Sequence, residues 1–243
     1  MSEKNIKVFE AIPPLVANMS SVAFAWPGVQ NFSIELDNFS LKVGSKVLLI
    51  GPSGSGKSTL LSLLCGINIP HQGTIEILGT NIVSMSNTMR DRFRVNHIGV
   101  IFQMFNLLPY GSVIDNVLLP LSFAKQRRER VGRTRGHLLR EAKRILTAMG
   151  LDSALFGGST AALSVGQQQR VAAARALIGI PELVIADEPV SALDYKHKER
   201  FLDLLFSQIE EANTTLLMVS HDQCIGSLFD EVVELKDLLI ERG

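Results

Sequence analysis

Nine residues, Gly51-Pro52-Ser53-Gly54-Ser55-Gly56-Lys57-Ser58-Thr59, constrain the fold of this chain more than any others. They match the pattern G-x-x-x-x-G-K-[ST]. Before them runs Val47-Leu48-Leu49-Ile50, apolar and β-branched at both ends, which reads as a buried strand. After Gly56 comes Lys57 to Cys65, with Leu60, Leu61, Leu63 and Leu64, which reads as a buried helix ending at Gly66. A glycine-rich turn between a strand and a helix is the context in which this pattern cradles phosphate. Glycines let the backbone curl so that successive N–H groups point inward, and the helix presents its positive dipole end to the anion. Lys57 is expected to reach the β- and γ-phosphates of a triphosphate, and Ser58 to offer a hydroxyl to Mg²⁺.

Two further apolar runs end in chemistry-bearing residues. Leu183 to Ala186 leads into Asp187-Glu188-Pro189, and Thr214 to Val219 leads into Ser220-His221-Asp222. Between them, Lys196 to Ala212 has a helical pattern, with Phe201, Leu204, Leu205 and Ile209 on one face. Apolar strands alternating with helices predict a parallel sheet covered on both sides. Ligand chemistry belongs at the C-terminal edge of such a sheet. Asp187 is therefore expected to hold Mg²⁺ through water, and Glu188 to polarise the attacking water.

The rest of the chain has other textures. Ser21 to Phe24, Phe32 to Val43 and Thr74 to Leu78 nearly alternate, with turns at Pro27-Gly28 and Gly44, and predict a small antiparallel sheet. From about Phe105 to Leu163 the chain reads as helical, and Leu138, Ala142, Ile145 and Met149 form one stripe that Gly150 stops. The expected fold is α/β: a mostly parallel central sheet, a flanking antiparallel β subdomain and an inserted helical subdomain.

Charge and cysteine content exclude several function classes. Lys plus Arg number 24 and Asp plus Glu 24, so the chain as a whole is not a basic nucleic-acid binder. One stretch, Lys125 to Arg144, holds nine basic residues against two Glu. It reads either as a solvated face or as a contact for anionic lipid or an acidic partner. It lacks the interleaved aromatics of a nucleic-acid motif. Cys65 and Cys224 are too far apart in sequence to suggest a disulfide framework or a zinc site, read as packing residues, and fit a reducing compartment. Glu3, Lys4, Lys7 and Glu10 leave no apolar core for a signal peptide, and no stretch approaches the roughly 18 apolar residues of a membrane span. The expectation is a chain that neither is secreted nor spans a membrane.

Three more motifs carry a family resemblance. Leu163-Ser164-Val165-Gly166-Gln167 resembles the Leu-Ser-Gly-Gly-Gln signature of ATP-binding-cassette ATPases, with Val165 in place of the first glycine. Ser191-Ala192-Leu193-Asp194 resembles that family's D-loop. Gln103, in Val100-Ile101-Phe102-Gln103, resembles its Q-loop, and His221 its switch histidine. Trp26, ahead of Pro27-Gly28, resembles the aromatic residue that stacks on adenine. Ser164 with Gln167 three residues on is also a capping box, so a well-capped helix start is expected there.

The resemblance covers nearly the whole chain and implies a single nucleotide-binding domain over residues 1–243. Residues 1–103 and 166–243 would form the ATPase core with its β subdomain, and 104–165 the helical subdomain. It implies ATP and Mg²⁺ as ligands, with Ser58, Gln103 and Asp187 at the metal. It also implies a second cassette, with Ser164 to Gln167 facing the ATP held by the opposite subunit. Transmembrane permease subunits, a place on the cytoplasmic face of the membrane and no nucleic-acid partner follow from it too. The segment Phe102 to Pro109, with Asn116-Val117 and Pro120, is similar to the branch of lipoprotein-releasing, macrolide-efflux and cell-division cassettes. Two other classes compete. One is a soluble, non-transport cassette of DNA maintenance, translation or cluster assembly. DNA-maintenance relatives carry a long coiled-coil insertion, whereas the interval of about 105 residues before the signature shows no sustained heptads, and translation relatives usually carry two cassettes where this sequence has one. A non-hydrolysing scaffold is at odds with Lys57, Asp187, Glu188 and His221 all being present.

Overall fold

The computed structural model describes residues 14–28, 33–191 and 193–240. The charged residues 1–10, Phe32 at the start of one expected strand, and Ala192 of the Ser191–Asp194 motif lie outside the described residues. The chain begins with β1 (Leu15–Ala25), β2 (Ser33–Lys42), β3 (Lys46–Ile50), α1 (Lys57–Leu64), β4 (Gln72–Ile77) and β5 (Thr80–Asn81). Next come α2 (Asn87–His97), β6 (Ile98–Ile101), α3 (Val113–Leu118), α4 (Lys125–Val131), α5 (Arg135–Ala148) and α6 (Val165–Leu177). It ends with β7 (Leu183–Asp187), α7 (Tyr195–Glu211), β8 (Thr215–Ser220), β9 (Glu231–Glu234) and α8 (Leu235–Leu238).

One sheet is antiparallel, in the order β2-β1-β4-β5, and the other is parallel, in the order β6-β7-β8-β3-β9. The apolar parallel strands are covered on both faces, and their two-residue period divides the core. Val47, Leu49, Leu183, Ile185, Leu217 and Val219 pack toward α1 and the antiparallel sheet. Leu48, Ile50, Val184, Ala186, Leu216 and Met218 pack toward the helices. The helical cluster joins α3 and α5 to α6 and α7 without a break.

Register places the functional turns together. Ile50 pairs with Ser220 and Asp187 with Val219. The phosphate loop, the Asp187-Glu188 turn and His221 therefore leave the sheet at one edge.

Several expectations need correction. Helix does not begin at Phe105: residues 102–112 are irregular, and the helices and 3₁₀ turns run from Val113 onward. Pro109 and Gly111 interrupt that segment, and its carbonyls bond to side chains rather than to a helical ladder. Three strands lie outside the sequence expectation: the two-residue β5, β6 and β9. In β6 a Cβ on Gly99 would meet the Ala176 carbonyl at 2.3 Å, so this glycine serves close packing on α6. β9 is a four-residue edge strand with glutamate at both ends, too short and polar to stand out. On α7 Phe201, Leu205 and Ile209 are buried as expected, but Leu202 and Phe206 complete the stripe and Leu204 is only partly covered.

The basic stretch is not uniformly a solvated face. Lys125, Arg128, Arg133, Arg135, Arg140 and Lys143 are exposed, whereas Arg127 is only 2% exposed. Its Nε and Nη2 donate to the carbonyls of Ile178 (2.9 Å) and Ala176 (2.7 Å), capping the C-terminal end of α6. The thiols also part company: Cys65 is buried and Cys224 exposed.

Candidate functional site

The phosphate loop is shaped by its own residues. Gly54 (φ 79°) and Gly56 (φ 109°) take left-handed conformations that only glycine adopts cheaply. α1 starts at Lys57 with no side-chain cap, so the amides of its first turn face the loop without a side-chain partner. The buried Lys57 ammonium donates to the carbonyls of Gly51 (2.7 Å) and Pro52 (2.9 Å), which suspends it over the turn. An anion drawn into this turn meets converging N–H groups and one fixed cation.

The carboxylates arrive from the neighbouring strand. Asp187 ends β7, and Ser58 Oγ donates to its Oδ2 at 3.1 Å. Burial raises the Asp187 carboxyl above its ordinary range; the Ser58 hydroxyl opposes this, the Glu188 charge adds to it, and Lys57 opposes it. Glu188 follows with φ 48°, a left-handed backbone that is strained for a non-glycine residue. Its N–H donates to the Val219 carbonyl at 3.0 Å, which ties the turn to β8. Its side chain is 11% exposed, and His221 Nδ1 lies 2.8 Å from its Oε2.

A cavity of about 500 Å³ lies over these groups, lined by Trp26, the loop, Gln103, Asp187, Glu188 and His221. Trp26 donates from Nε1 to Thr59 Oγ1 at 3.3 Å and meets Phe24 edge-on, with ring centroids 5.2 Å apart. The indole is thus a flat wall anchored to α1. Ser58, Asp187 and Gln103 offer only oxygen donors or amide groups, a set suited to a hard divalent cation. Among the described residues no cluster of three or more His, Cys, Asp or Glu forms a separate metal centre.

The signature residues do not line this cavity. Ser164 caps α6: its Oγ accepts from the Gln167 N–H at 3.3 Å, and Gln167 Oε1 accepts from the Ser164 N–H at 2.9 Å. Val165 is exposed, and a Cβ on Gly166 would meet nothing within 4 Å, so this helix start is an open face. Asp194 caps α7, accepting from the His197 N–H at 3.0 Å, and that amide is the main reason its carboxyl stays below the ordinary range.

Sequence reading missed the side chains that hold the site's outer turns. Asn116, noted only as a branch marker, is fully buried and bonds to both the N–H (2.7 Å) and the carbonyl (3.0 Å) of Leu108. Thr160 Oγ1 donates to the same carbonyl at 2.8 Å. Gln169 and Arg175, both buried on α6, reach the turns beyond Glu188 and Gln103. Arg175 had a visible signal: it is the one cation in the apolar run Val171 to Leu177. Beside it lies an apolar groove of about 300 Å³, lined in part by Val100, Phe102, Leu119, Pro120 and Phe123.

The family profile described as ABC transporter matches residues 35–191. The lipoprotein-releasing system ATP-binding protein LolD 2 of Rhodospirillum rubrum is 36% identical over 226 residues, 93% of this chain and 95% of that protein. The macrolide export ATP-binding/permease protein MacB of Rhodopirellula baltica is 37% identical over 201 residues, 83% of this chain but only 28% of that protein. The chain thus spans little more than a quarter of that relative. A dimeric post-hydrolysis structure of the ATP-binding cassette MJ0796, bound to ADP and Pi, superposes with a TM-score of 0.80 at 32% identity. That likeness covers 93% of this chain and 97% of that one.

Proposed function

The chain belongs to the ABC transporter family, and on that premise we propose that it drives a complex of the lipoprotein-releasing or macrolide-exporting kind. It is an ATP-binding and ATP-hydrolysing cassette that powers membrane transport. One observation carries the residue assignments: a single cavity gathers an aromatic wall, a phosphate loop, a hydroxyl–carboxylate pair and a Glu–His pair.

In this reading Trp26 stacks on adenine, while the amides of residues 51–59 and the Lys57 ammonium bind the phosphates. Ser58 and Gln103 would hold Mg²⁺, with Asp187 contributing through water. The bound ion would neutralise charge on the phosphates. Glu188 polarises the attacking water, and His221 hydrogen-bonds to the γ-phosphate or to that water. The open helix start at Ser164, Val165, Gly166 and Gln167 meets the nucleotide of a second copy of the chain, with Asp194 beside it. Residues 104–165 act as the helical unit that moves against the ATPase core of 1–103 and 166–243.

Among the described residues no helix is long and apolar enough to cross a membrane. The proposed location is the cytoplasmic face of the membrane, where separate permease subunits hold the cassette. The groove lined by Phe102 and Phe123 is the surface offered to them, and substrate choice rests with those subunits.

The test is Glu188→Gln, which keeps the shape of the side chain and removes its charge. Hydrolysis should fall by roughly 10² to 10⁴. The variant should accumulate as an ATP-bound dimer on size-exclusion chromatography, and adding Ser164→Arg should abolish that dimer. Wild-type turnover by Glu188→Gln would overturn the assignment.

A further inference from the structure

α6 reaches toward a second nucleotide with its first turn, yet its later turns carry two buried polar side chains aimed at its own cavity's supports. Gln169, 1% exposed, donates from Nε2 to the Pro189 carbonyl at 2.8 Å. Arg175, 8% exposed, donates from Nη1 to the Asn106 carbonyl at 2.7 Å and from Nη2 to the Phe105 carbonyl. Burial lowers the Arg175 guanidinium from its ordinary range, though an arginine so placed still stays charged.

Both clasped turns are strained. Glu188, just before Pro189, has φ 48°, and Phe105 and Asn106 have φ 59° and 49°. Two successive non-glycine residues in the left-handed region persist only where surrounding contacts over-determine them. Local bonds assist, from the Phe105 N–H to the Phe102 carbonyl (2.9 Å) and from the Asn106 N–H to the Met104 carbonyl (2.6 Å). The carbonyls of Phe105 and Asn106 accept instead from Arg175, the Phe105 bond buried and the Asn106 bond partly so. Arg175 satisfies both with one planar fork, which a lysine cannot reproduce. Packing between α6 and β6 is also close enough to require Gly99 opposite the Ala176 carbonyl.

We propose that α6 positions Gln103 and Glu188 of its own cavity through Arg175 and Gln169, so that the helix whose start faces a partner's nucleotide also sets the geometry of its own site. Neither residue touches the nucleotide; each is a positioning residue. Arg175 and Asn106 also line the apolar groove, so a segment seated there bears on the same clasp. The inference rests on the ATPase reading above and deepens it.

The test compares Arg175→Lys, Gln169→Met and the double variant Arg175→Lys/Asn106→Gly. Glycine tolerates the left-handed turn and needs less clasping. The chain has a single tryptophan, Trp26, so quenching of its fluorescence reads ATP binding without Mg²⁺. That affinity should stay within about twofold of wild type in all three variants. Turnover should fall about tenfold in Arg175→Lys and Gln169→Met, with a raised Mg²⁺ requirement in the former. Asn106→Gly should restore at least about threefold in the double variant. Amide exchange at Phe105 and Asn106 should quicken in Arg175→Lys, and at Glu188 and Ser191 in Gln169→Met. Unchanged exchange and turnover in both single variants overturns the proposal, as does a matching loss of Mg²⁺-free affinity or the absence of rescue. If the wild-type chain fails to hydrolyse ATP, the ATPase reading fails instead, and the exchange measurements still decide whether α6 holds the turns.

Discussion

Two irregular segments border the nucleotide cavity, and they are built on opposite principles. Residues 51–56 close on local groups: glycines supply the left-handed angles, and Lys57, at the start of α1, bonds to carbonyls five and six positions back. Residues 102–112 close on borrowed groups. Arg175 holds Phe105 and Asn106, Thr160 and Asn116 hold Leu108, and Ser159 holds Pro109 at 2.8 Å. Even their strain differs, since the first segment uses glycine where the second forces Phe105 and Asn106 past φ 0°. A self-contained loop is rigid before any partner arrives. A loop held by α3, α6 and the 3₁₀ turn at Thr160 moves when those elements move, which suits a segment placed between the cavity and the apolar groove.

Lys57→Ala strikes the phosphate loop at its single cation. Loss of the one cation set over the loop should weaken ATP binding by about 100-fold, the scale of a buried charge-assisted contact. Trp26 quenching reads it, and urea unfolding should change little because the lysine's partners are local. Wild-type affinity in this variant would show that the loop amides alone hold the phosphates.

Asn116→Ala tests the other segment. It orphans the Leu108 N–H and removes one of the bonds to the Leu108 carbonyl, which keeps Thr160 and the Gly111 N–H, and should cost about 2 kcal/mol in urea unfolding. Thr160→Val removes one bond to the same carbonyl and should cost about 1 kcal/mol. Both variants should keep Mg²⁺-free ATP affinity. If either weakens it as much as Lys57→Ala does, the two segments are not independent and the contrast fails.

The smallest effect concerns Cys65, which caps the C-terminal end of α1, the helix that begins at the phosphate loop. Burial pushes its thiol up from the ordinary thiol range to about 12. The folded chain keeps the thiol neutral where the unfolded chain ionises it. Its contribution to stability is therefore complete below about pH 9 and declines as pH rises toward 12. Cys65→Ala should flatten that alkaline decline in chemical unfolding. Alkylation of the native chain should strike the exposed Cys224 and reach Cys65 only on unfolding. Early labelling of Cys65 would mean that α1 opens locally and that the loop is less self-contained than its contacts indicate.

The residues legible in advance are those whose roles are written locally. Gly54, Gly56 and Lys57 sit in one nonapeptide, Ser164 and Gln167 sit three apart, and Asp187 and His221 follow unbroken apolar runs. A three- or five-residue span carries such signals because helix caps and tight turns depend on neighbours. From Phe105 onward the sequence predicts helix where the chain to Ser112 is irregular, since its geometry is dictated by Asn116, Thr160 and Arg175. β9 hid for a related reason: an edge strand of four residues needs β3 beside it to exist at all.

By itself, then, the sequence determined the alternation of apolar strands with helices, the phosphate loop between β3 and α1, and the capped start of α6. These follow from backbone sterics, hydrophobic period and local capping, all of short range. Tertiary structure alone decided that Asp187, Glu188, His221 and Trp26 share one cavity with that loop, because strand order and register, Ile50 against Ser220 and Asp187 against Val219, are properties of the assembled sheet. It also decided that Arg127 is buried against the end of α6 and that Arg175 is buried against the Phe105–Asn106 turn. A guanidinium is buried only where carbonyls converge to receive it, and that convergence exists only once distant segments have packed.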